Sequence, residues 1–300
     1  VSRSKPSYYG PFFWVAAVSF VVPLAVAARA FHEVTVTTKP APHPDASGVD
    51  HALWDYLLKD YVENGLVDYD GMAHDYLFRT YLRELAEADP TKLTTAADRL
   101  ALLCNAYNAF VIDGVITHKI RTSVMDYKLD GKEFFDLEEH IFAGYTMSLN
   151  YIEHTLIRKP FEEPRVHVAL VCAARSCPAI RAEAFVGNRL ANQLEDQAIG
   201  FANNPRYVSY DTAKNTLRLS PILNWYGSDW DPVGGYLPWL RQRVKDPSLG
   251  KAIDAAMRGE AQIAFTEYDW SLNTQAAVGA TAVPSARKNV DFGSGSIPNR

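Results

Sequence analysis

His167 and Cys177 are the two side chains best suited to nucleophilic chemistry, an imidazole and a thiol in one short segment. A cysteine beside a histidine forms a thiolate that attacks carbonyl carbon, and a third polar group commonly orients the imidazole. Asn105 or Asn108 is the candidate third group, as in Cys-His-Asn hydrolases. The run from Val166 to Cys172 reads as a buried strand. Side chains alternate along a strand, so His167 and Cys172 are expected on opposite faces. Cys172 then packs in the core. Cys177, beyond a turn at Ala173–Ser176, folds back beside His167 and is the predicted nucleophile. Two other fates compete for these sulfurs. A Cys172–Cys177 disulfide closes a short loop and removes the nucleophile, leaving Cys104 as a small buried residue. A zinc site from Cys172, Cys177 and His167 lacks a fourth ligand.

Asn105 and Asn108 lie three apart and share a helix face, so the plainer alternative is a network that satisfies a neighbouring loop. Glu153 and His154 are adjacent and diverge by about 100° on a helix. They do not act as one unit, and Glu153 is expected to pair with an arginine. Trp225-Tyr226 and Tyr268-Asp269-Trp270 are expected to pack the core, although such aromatics also line ligand pockets. The chain has no Gly-rich phosphate loop, GxSxG elbow, HExxH pair or CxxCH haem site. No cofactor and no resident metal is read from it.

The elements that position these residues follow from periodicity. Helical patterns run over 50–63, 73–87, 95–119, 148–158, 188–202, 234–245 and 248–258. Strand-like pieces fall at 66–69, 143–147, 166–172, 207–210, 216–219 and 262–265, with a hairpin around Asp211–Asn215. The expected fold class is α+β, a mostly helical domain around a small β-sheet over residues 49–273, preceded by one transmembrane helix.

Six segments in order resemble the family known as domain of unknown function 547. They are Asn64-Gly65-Leu66-Val67-Asp68-Tyr69, Asn105-Ala106-Tyr107-Asn108-Ala109, Tyr151 to Arg158, Val166 to Pro178, Leu219 to Tyr226, and Tyr268-Asp269-Trp270-Ser271-Leu272-Asn273. The resemblance covers roughly residues 60 to 273. It departs from the family's pattern at Leu103-Cys104, where a Trp and an aliphatic residue usually precede Asn-Ala-Tyr-Asn. The resemblance implies the kind of domain rather than an activity, because the family's activity is unassigned.

Composition bounds the remainder. An apolar fraction of 48% and a charged fraction of 22% are those of a globular chain. A net charge of −5 offers no basic field for nucleic acid, and three cysteines are too few for a disulfide scaffold.

Residues 6–28 carry no charge. With Phe12, Phe13, Trp14, Val18 and Val22, this stretch is long enough to span a bilayer and has aromatics at one end. A retained anchor over residues 1–32 is expected in preference to a cleaved signal, for which Ala25-Val26-Ala27 and Ala28-Arg29-Ala30 would be the cleavage sites. Arg3 and Lys5 precede the span, which places the N-terminus in the cytoplasm and the main domain in the periplasm, at the cell inner membrane. A Pro/Thr-rich linker follows over 33–48, and a Gly/Ser/Pro-rich tail closes the chain over 274–300.

The function expected is that of an accessory or structural subunit of a larger membrane complex, respiratory or photosynthetic. Its partners would be membrane lipid and other subunits, met through anchor, linker and tail, and no nucleic acid. The alternative is a membrane-anchored envelope thiol hydrolase or acyltransferase using Cys177 and His167.

Overall fold

The computed structural model describes residues 44–275. The expected anchor with Phe12, Phe13, Trp14, Val18 and Val22, most of the linker and the tail after Gln275 lie outside the described residues.

Three short helices open the domain, and an aspartate caps each. Asp50, Asp68 and Asp75 accept backbone N–H bonds from Ala52, Gly71 and Leu77 at the starts of α1 (His51–Tyr61), α2 (Tyr69–His74) and α3 (Tyr76–Glu87). Such caps satisfy donors that a helix start otherwise strands. Between α1 and α2, β1 (Val62–Glu63) and β2 (Leu66–Val67) form a hairpin. Asn64 and Gly65 turn it at φ +52° and +77°, the left-handed conformation a two-residue hairpin turn demands.

The scaffold centres on α4 (Ala96–Thr117), started by Thr95, which receives the Asp98 N–H at 3.0 Å. This helix is apolar on all sides and buried along most of its length, as a helix in the middle of a core should be. Among the described residues it is the one helix long and apolar enough to cross a membrane, but 83% of its apolar window is buried inside the domain.

Beyond α4 the chain makes two small antiparallel hairpins, β3 (Lys128–Leu129) with β4 (Lys132–Glu133), and β5 (His140–Phe142) with β6 (Tyr145–Met147). Ser148 then caps α5 (Leu149–Tyr151), which runs through a π-helical stretch, Ile152–Arg158, into α6 (Lys159–Phe161). Such wide turns occur often where a helix carries functional side chains. Glu153, His154 and Arg158 all lie on this one.

α7 (Leu190–Ala202) packs near α4. It leads to β7 (Val208–Asp211), antiparallel to β8 (Thr216–Leu219). α8 (Ile222–Trp225), α9 (Tyr236–Arg241) and α10 (Pro247–Met257) then return the chain so that β9 (Gln262–Phe265) joins β8 in parallel.

The α+β class is as expected, and among the described residues the strands divide into four small sheets. One expected element is corrected. Residues 166–172 are not a strand: Pro164–Val168 form a 3-10 turn and the chain continues irregularly. Pro164 fixes φ at the start of the turn, and the Glu163 carboxylate caps it by accepting the Arg165 N–H at 3.1 Å. The N–H groups of Ala169 and Leu170 both turn back to the Val166 carbonyl at 2.9 Å. An apolar run is buried equally well in either shape, so its composition does not distinguish them.

Candidate functional site

The segment 169–177 is held from two sides. From α4, Asn108 accepts the Val171 N–H at 3.0 Å and donates to the Ala169 carbonyl at 3.1 Å. Asn105 grips the next loop in the same way, accepting from the Phe185 N–H at 2.9 Å and donating to its carbonyl at 2.8 Å. Neither asparagine bonds to His167; both clamp backbone. From the other side the closing segment stitches on. Arg175 N–H bonds to Ser271 O at 2.8 Å, Ser176 N–H to Asp269 O at 3.1 Å, and Asn273 N–H to Ala173 O at 3.0 Å. Between these clamps Ala173 sits at φ +58°, a conformation a non-glycine residue keeps only when its surroundings hold it there.

Cys172, expected in the core, is the more exposed of the two sulfurs. Both border one cleft, Cys172 half-buried and Cys177 5% exposed. Both are free thiols, not joined as a disulfide. Cys177 Sγ accepts the Cys172 N–H at 2.9 Å, and the Tyr268 hydroxyl lies 3.0 Å from Cys172 Sγ. Burial pushes the Cys172 thiol up, but hydrogen bonds from the Cys177 thiol, the Tyr268 hydroxyl and the Ala174 N–H outweigh it, so the thiol ionises more readily than an ordinary one. Burial and the neighbouring Cys172 push Cys177 well up. Cys104 lies buried on α4, and burial raises its thiol strongly.

His167 has a different partner from the one expected. Its Nε2 lies 2.7 Å from Asp229 Oδ2, and its ring stacks on Tyr226 with centroids 4.0 Å apart. Arg158 grips the same carboxylate in bidentate fashion, Nε to Oδ2 at 2.7 Å and Nη2 to Oδ1 at 2.9 Å. Burial alone would raise Asp229, but the bonds from His167 and Arg158 hold it well below the usual carboxylate range. An ionised Asp229 requires His167 Nε2 to carry its proton, which leaves Nδ1 as the nitrogen that accepts one. Among the described residues no imidazole bonds to Cys172 Sγ.

The third Arg158 nitrogen fixes a tautomer. Nη1 donates to His154 Nδ1 at 2.7 Å, so His154 carries its proton on Nε2. Burial, helped by the Arg158 charge, lowers His154 and keeps it neutral. Glu153 is not paired with an arginine as expected. It is 7% exposed and receives the Tyr107 hydroxyl at 3.0 Å and the Tyr226 hydroxyl.

These groups border one cleft of about 580 Å³, part of it open to solvent. Cys172, Glu153, His154 and His167 supply its polar wall, and Tyr107, Trp225, Tyr268 and Trp270 its aromatic one. Trp225 and Trp270 stack at 16° with centroids 6.0 Å apart, so these aromatics wall the cleft as well as pack beside it. Among the described residues no three His, Cys, Asp or Glu side chains are grouped to hold a metal ion, so Cys172, Cys177 and His167 do not form one site. Sequence reasoning missed Asp229 and Arg158, and it placed Cys172 in the core. The one available signal for Asp229 was a lone carboxylate in the aromatic run Trp225-Tyr226-Gly227-Ser228-Asp229-Trp230.

No curated protein and no solved structure matches this chain. Residues 90–202, which include Asn105, Asn108, Glu153, His154, His167 and both site cysteines, match the model of the family described as protein of unknown function, DUF547.

Proposed function

We propose that the domain is a thiol-dependent hydrolase or acyltransferase whose nucleophile is Cys172. The observation that carries this reading is the environment of Cys172 Sγ, half-buried in the cleft wall and bonded to Tyr268 and Cys177 so that its ionised form is favoured. In this reading the Cys172 thiol proton passes to His167 Nδ1 through one water in the cleft, and Asp229 stabilises the imidazolium. The thiolate attacks an ester, thioester or amide carbonyl, forming an S–C bond. The tetrahedral intermediate collapses, and the leaving group departs with the proton from His167. Water, or an acceptor alcohol or amine, loses a proton to His167 and attacks the thioester, and Cys172 leaves and is reprotonated. His154, neutral and carrying Nε2–H, serves as a donor to the carbonyl oxygen rather than as an acid.

The test uses an activated aryl ester and mass spectrometry. Trypsin cuts after Arg165, Arg175 and Arg181, so Cys172 and Cys177 fall in separate peptides. Acylation of the peptide 166–175, lost in Cys172→Ser and kept in Cys177→Ser, supports the reading. Acylation of neither peptide overturns it.

A second reading rests on residues 6–28, free of charge over a length that spans a bilayer, and on the Gly/Ser/Pro-rich tail. The chain would then be a single-span accessory subunit of an energy-converting membrane complex at the inner membrane, its domain on the periplasmic side. Mild detergent extraction of the tagged protein tests it. A stoichiometric set of membrane subunits, lost when residues 274–300 are deleted, supports it, and a lone monomer sinks it.

A further inference from the structure

The acyl-transfer reading uses one sulfur and leaves the other without work. We infer that Cys172 and Cys177 are a reversible dithiol–disulfide pair, with Cys172 the attacking thiol and Cys177 the resolving thiol, that reacts with small disulfides such as glutathione disulfide.

Both cysteines border the cleft, and the Cys177 sulfur lies against the Cys172 N–H at 2.9 Å. The intervening turn is tight: Cys177 N–H returns to Ala174 O at 3.1 Å, and Ala173 takes the left-handed conformation that folds the chain back on itself. The Cys177 sulfur thus already lies against the backbone of Cys172, so a disulfide needs a local turn of side chains rather than a movement of the chain.

The asymmetry of the pair assigns the order of attack. Cys172 is the more exposed of the two, so a disulfide from solution meets it first. The Cys172 thiolate is favoured by its donors, whereas Cys177 stays protonated until a mixed disulfide is in place. Cys177 also has the Leu170 carbonyl at 3.9 Å as a resting acceptor for its S–H.

The steps balance. Cys172 thiolate attacks one sulfur of RSSR, an S–S bond forms, the old S–S bond breaks, and RS⁻ leaves. Cys177 gives its proton to that thiolate, attacks Cys172 Sγ and expels a second RS⁻, which takes a proton from water. The dithiol loses two electrons and RSSR gains them, and a dithiol reductant reverses the change. The inference uses the same nucleophile as the acyl-transfer reading but stands on the placing of the Cys177 sulfur against the Cys172 backbone.

The experiment equilibrates the full chain in glutathione buffers of graded ratio, quenches with acid and maps tryptic peptides. The tryptic cut after Arg175 makes the linkage diagnostic, because only a disulfide keeps 166–175 joined to 176–181. The expected result is a joined pair whose fraction follows the ratio and returns to zero with dithiothreitol. In Cys177→Ser a glutathione adduct accumulates on 166–175, because nothing resolves it. In Cys172→Ser neither species appears. A wild-type adduct as long-lived as that of Cys177→Ser overturns the inference, as does a wild type that never joins the two peptides. The wild-type measurement decides the matter even where a serine variant fails to fold. Loss of ester acylation with the joined pair intact would sink the acyl-transfer reading and leave this one standing.

Discussion

His167 Nε2 lies 2.7 Å from Asp229 Oδ2, and Arg158 Nε meets the same oxygen at 2.7 Å. One carboxylate therefore fixes an imidazole from the 3-10 turn and a guanidinium from the π-helical stretch. Asp229 and Arg158 thereby hold His167 and His154, which line the cleft, although these residues lie far apart in the chain. Tyr226 binds the same group from another direction, stacking on His167 and lying under the Arg158 guanidinium at 4.7 Å.

Asp229→Asn should disable this arrangement. The amide keeps the shape but removes the charge that both partners require. Removing one partner of a partly buried ion pair is expected to cost ~2 kcal/mol or more at neutral pH. The sign with pH follows from the lowered Asp229 value. Its stabilisation is complete above the unfolded carboxylate value of about 3.9 and is lost as pH falls below it. Denaturant titrations at neutral pH and at about pH 3 check this. The gap between wild type and variant should narrow in acid, and an equal gap at both values would contradict the pairing.

Cys172 should alkylate at lower pH than an ordinary thiol. Its iodoacetamide rate should rise with a midpoint below that of a free cysteine. Tyr268→Phe removes one donor and should move the midpoint up. Cys104, buried on α4, should stay unlabelled while the protein is folded. Peptide mapping of a pH series separates the sites, and preferential labelling of Cys177 would reverse the assignment of roles.

Most of the helical scaffold was legible in the sequence. The helix from Ala96 to Thr117 and the β7–β8 hairpin fall where periodicity and turn residues put them, because each is long enough or local enough to show its own pattern. The site was legible only in part. His167, Cys172 and Cys177 stood out, but the parity argument presumed a strand where Pro164 starts a 3-10 turn, and it hid the cleft-facing sulfur in the core. Asp229 had no spacing relation to His167 to betray it, since the two meet through tertiary packing alone. The bland alternative for Asn105 and Asn108 agrees with the bonds they make, because a buried amide satisfies backbone more readily than it finds a side chain.

Asn108→Ala should therefore act through the loop. It strands the Val171 N–H and the Ala169 carbonyl in the core, at a cost of about 2 to 4 kcal/mol. A denaturant midpoint shift with an unchanged slope checks the cost. Cys172 alkylation should also lose its low midpoint, because the loop no longer holds the sulfur against its donors. A variant as stable as wild type would show that the clamp is dispensable.

Gly65→Ala tests the first hairpin. Gly65 has φ +77°, and a Cβ there would sit 2.7 Å from the Ala179 side chain and 3.1 Å from its Cα. Strain and overlap with backbone together should cost ~2 kcal/mol or more. Ala179 follows directly on Cys177-Pro178, so the displacement should reach the site. Thermal denaturation reads the first effect and Cys172 labelling the second. A silent substitution would mean the turn relaxes away from Ala179.

His140 sets a pH dependence remote from the cleft. Its ring is buried, stacks on Phe110 at 5.0 Å and leaves Nε2 without a partner. Burial, with the nearby His118 charge adding to it, lowers its value to about 4. A lowered folded value means that stability is complete above the unfolded value of about 6.5 and is lost as pH falls toward 4. For a group buried this fully the loss is about 3 kcal/mol. Glu139 Oε1 lies 3.9 Å from it. Asp113, raised by burial to about 6, changes in the same range with the opposite sign, losing its stabilisation as pH rises through that value. His140→Phe keeps the stack on Phe110 and removes the titration. Its stability should therefore fall less than that of wild type between pH 6.5 and about 4, with Asp113 common to both. Parallel curves for the two proteins would show that His140 is not the group that titrates.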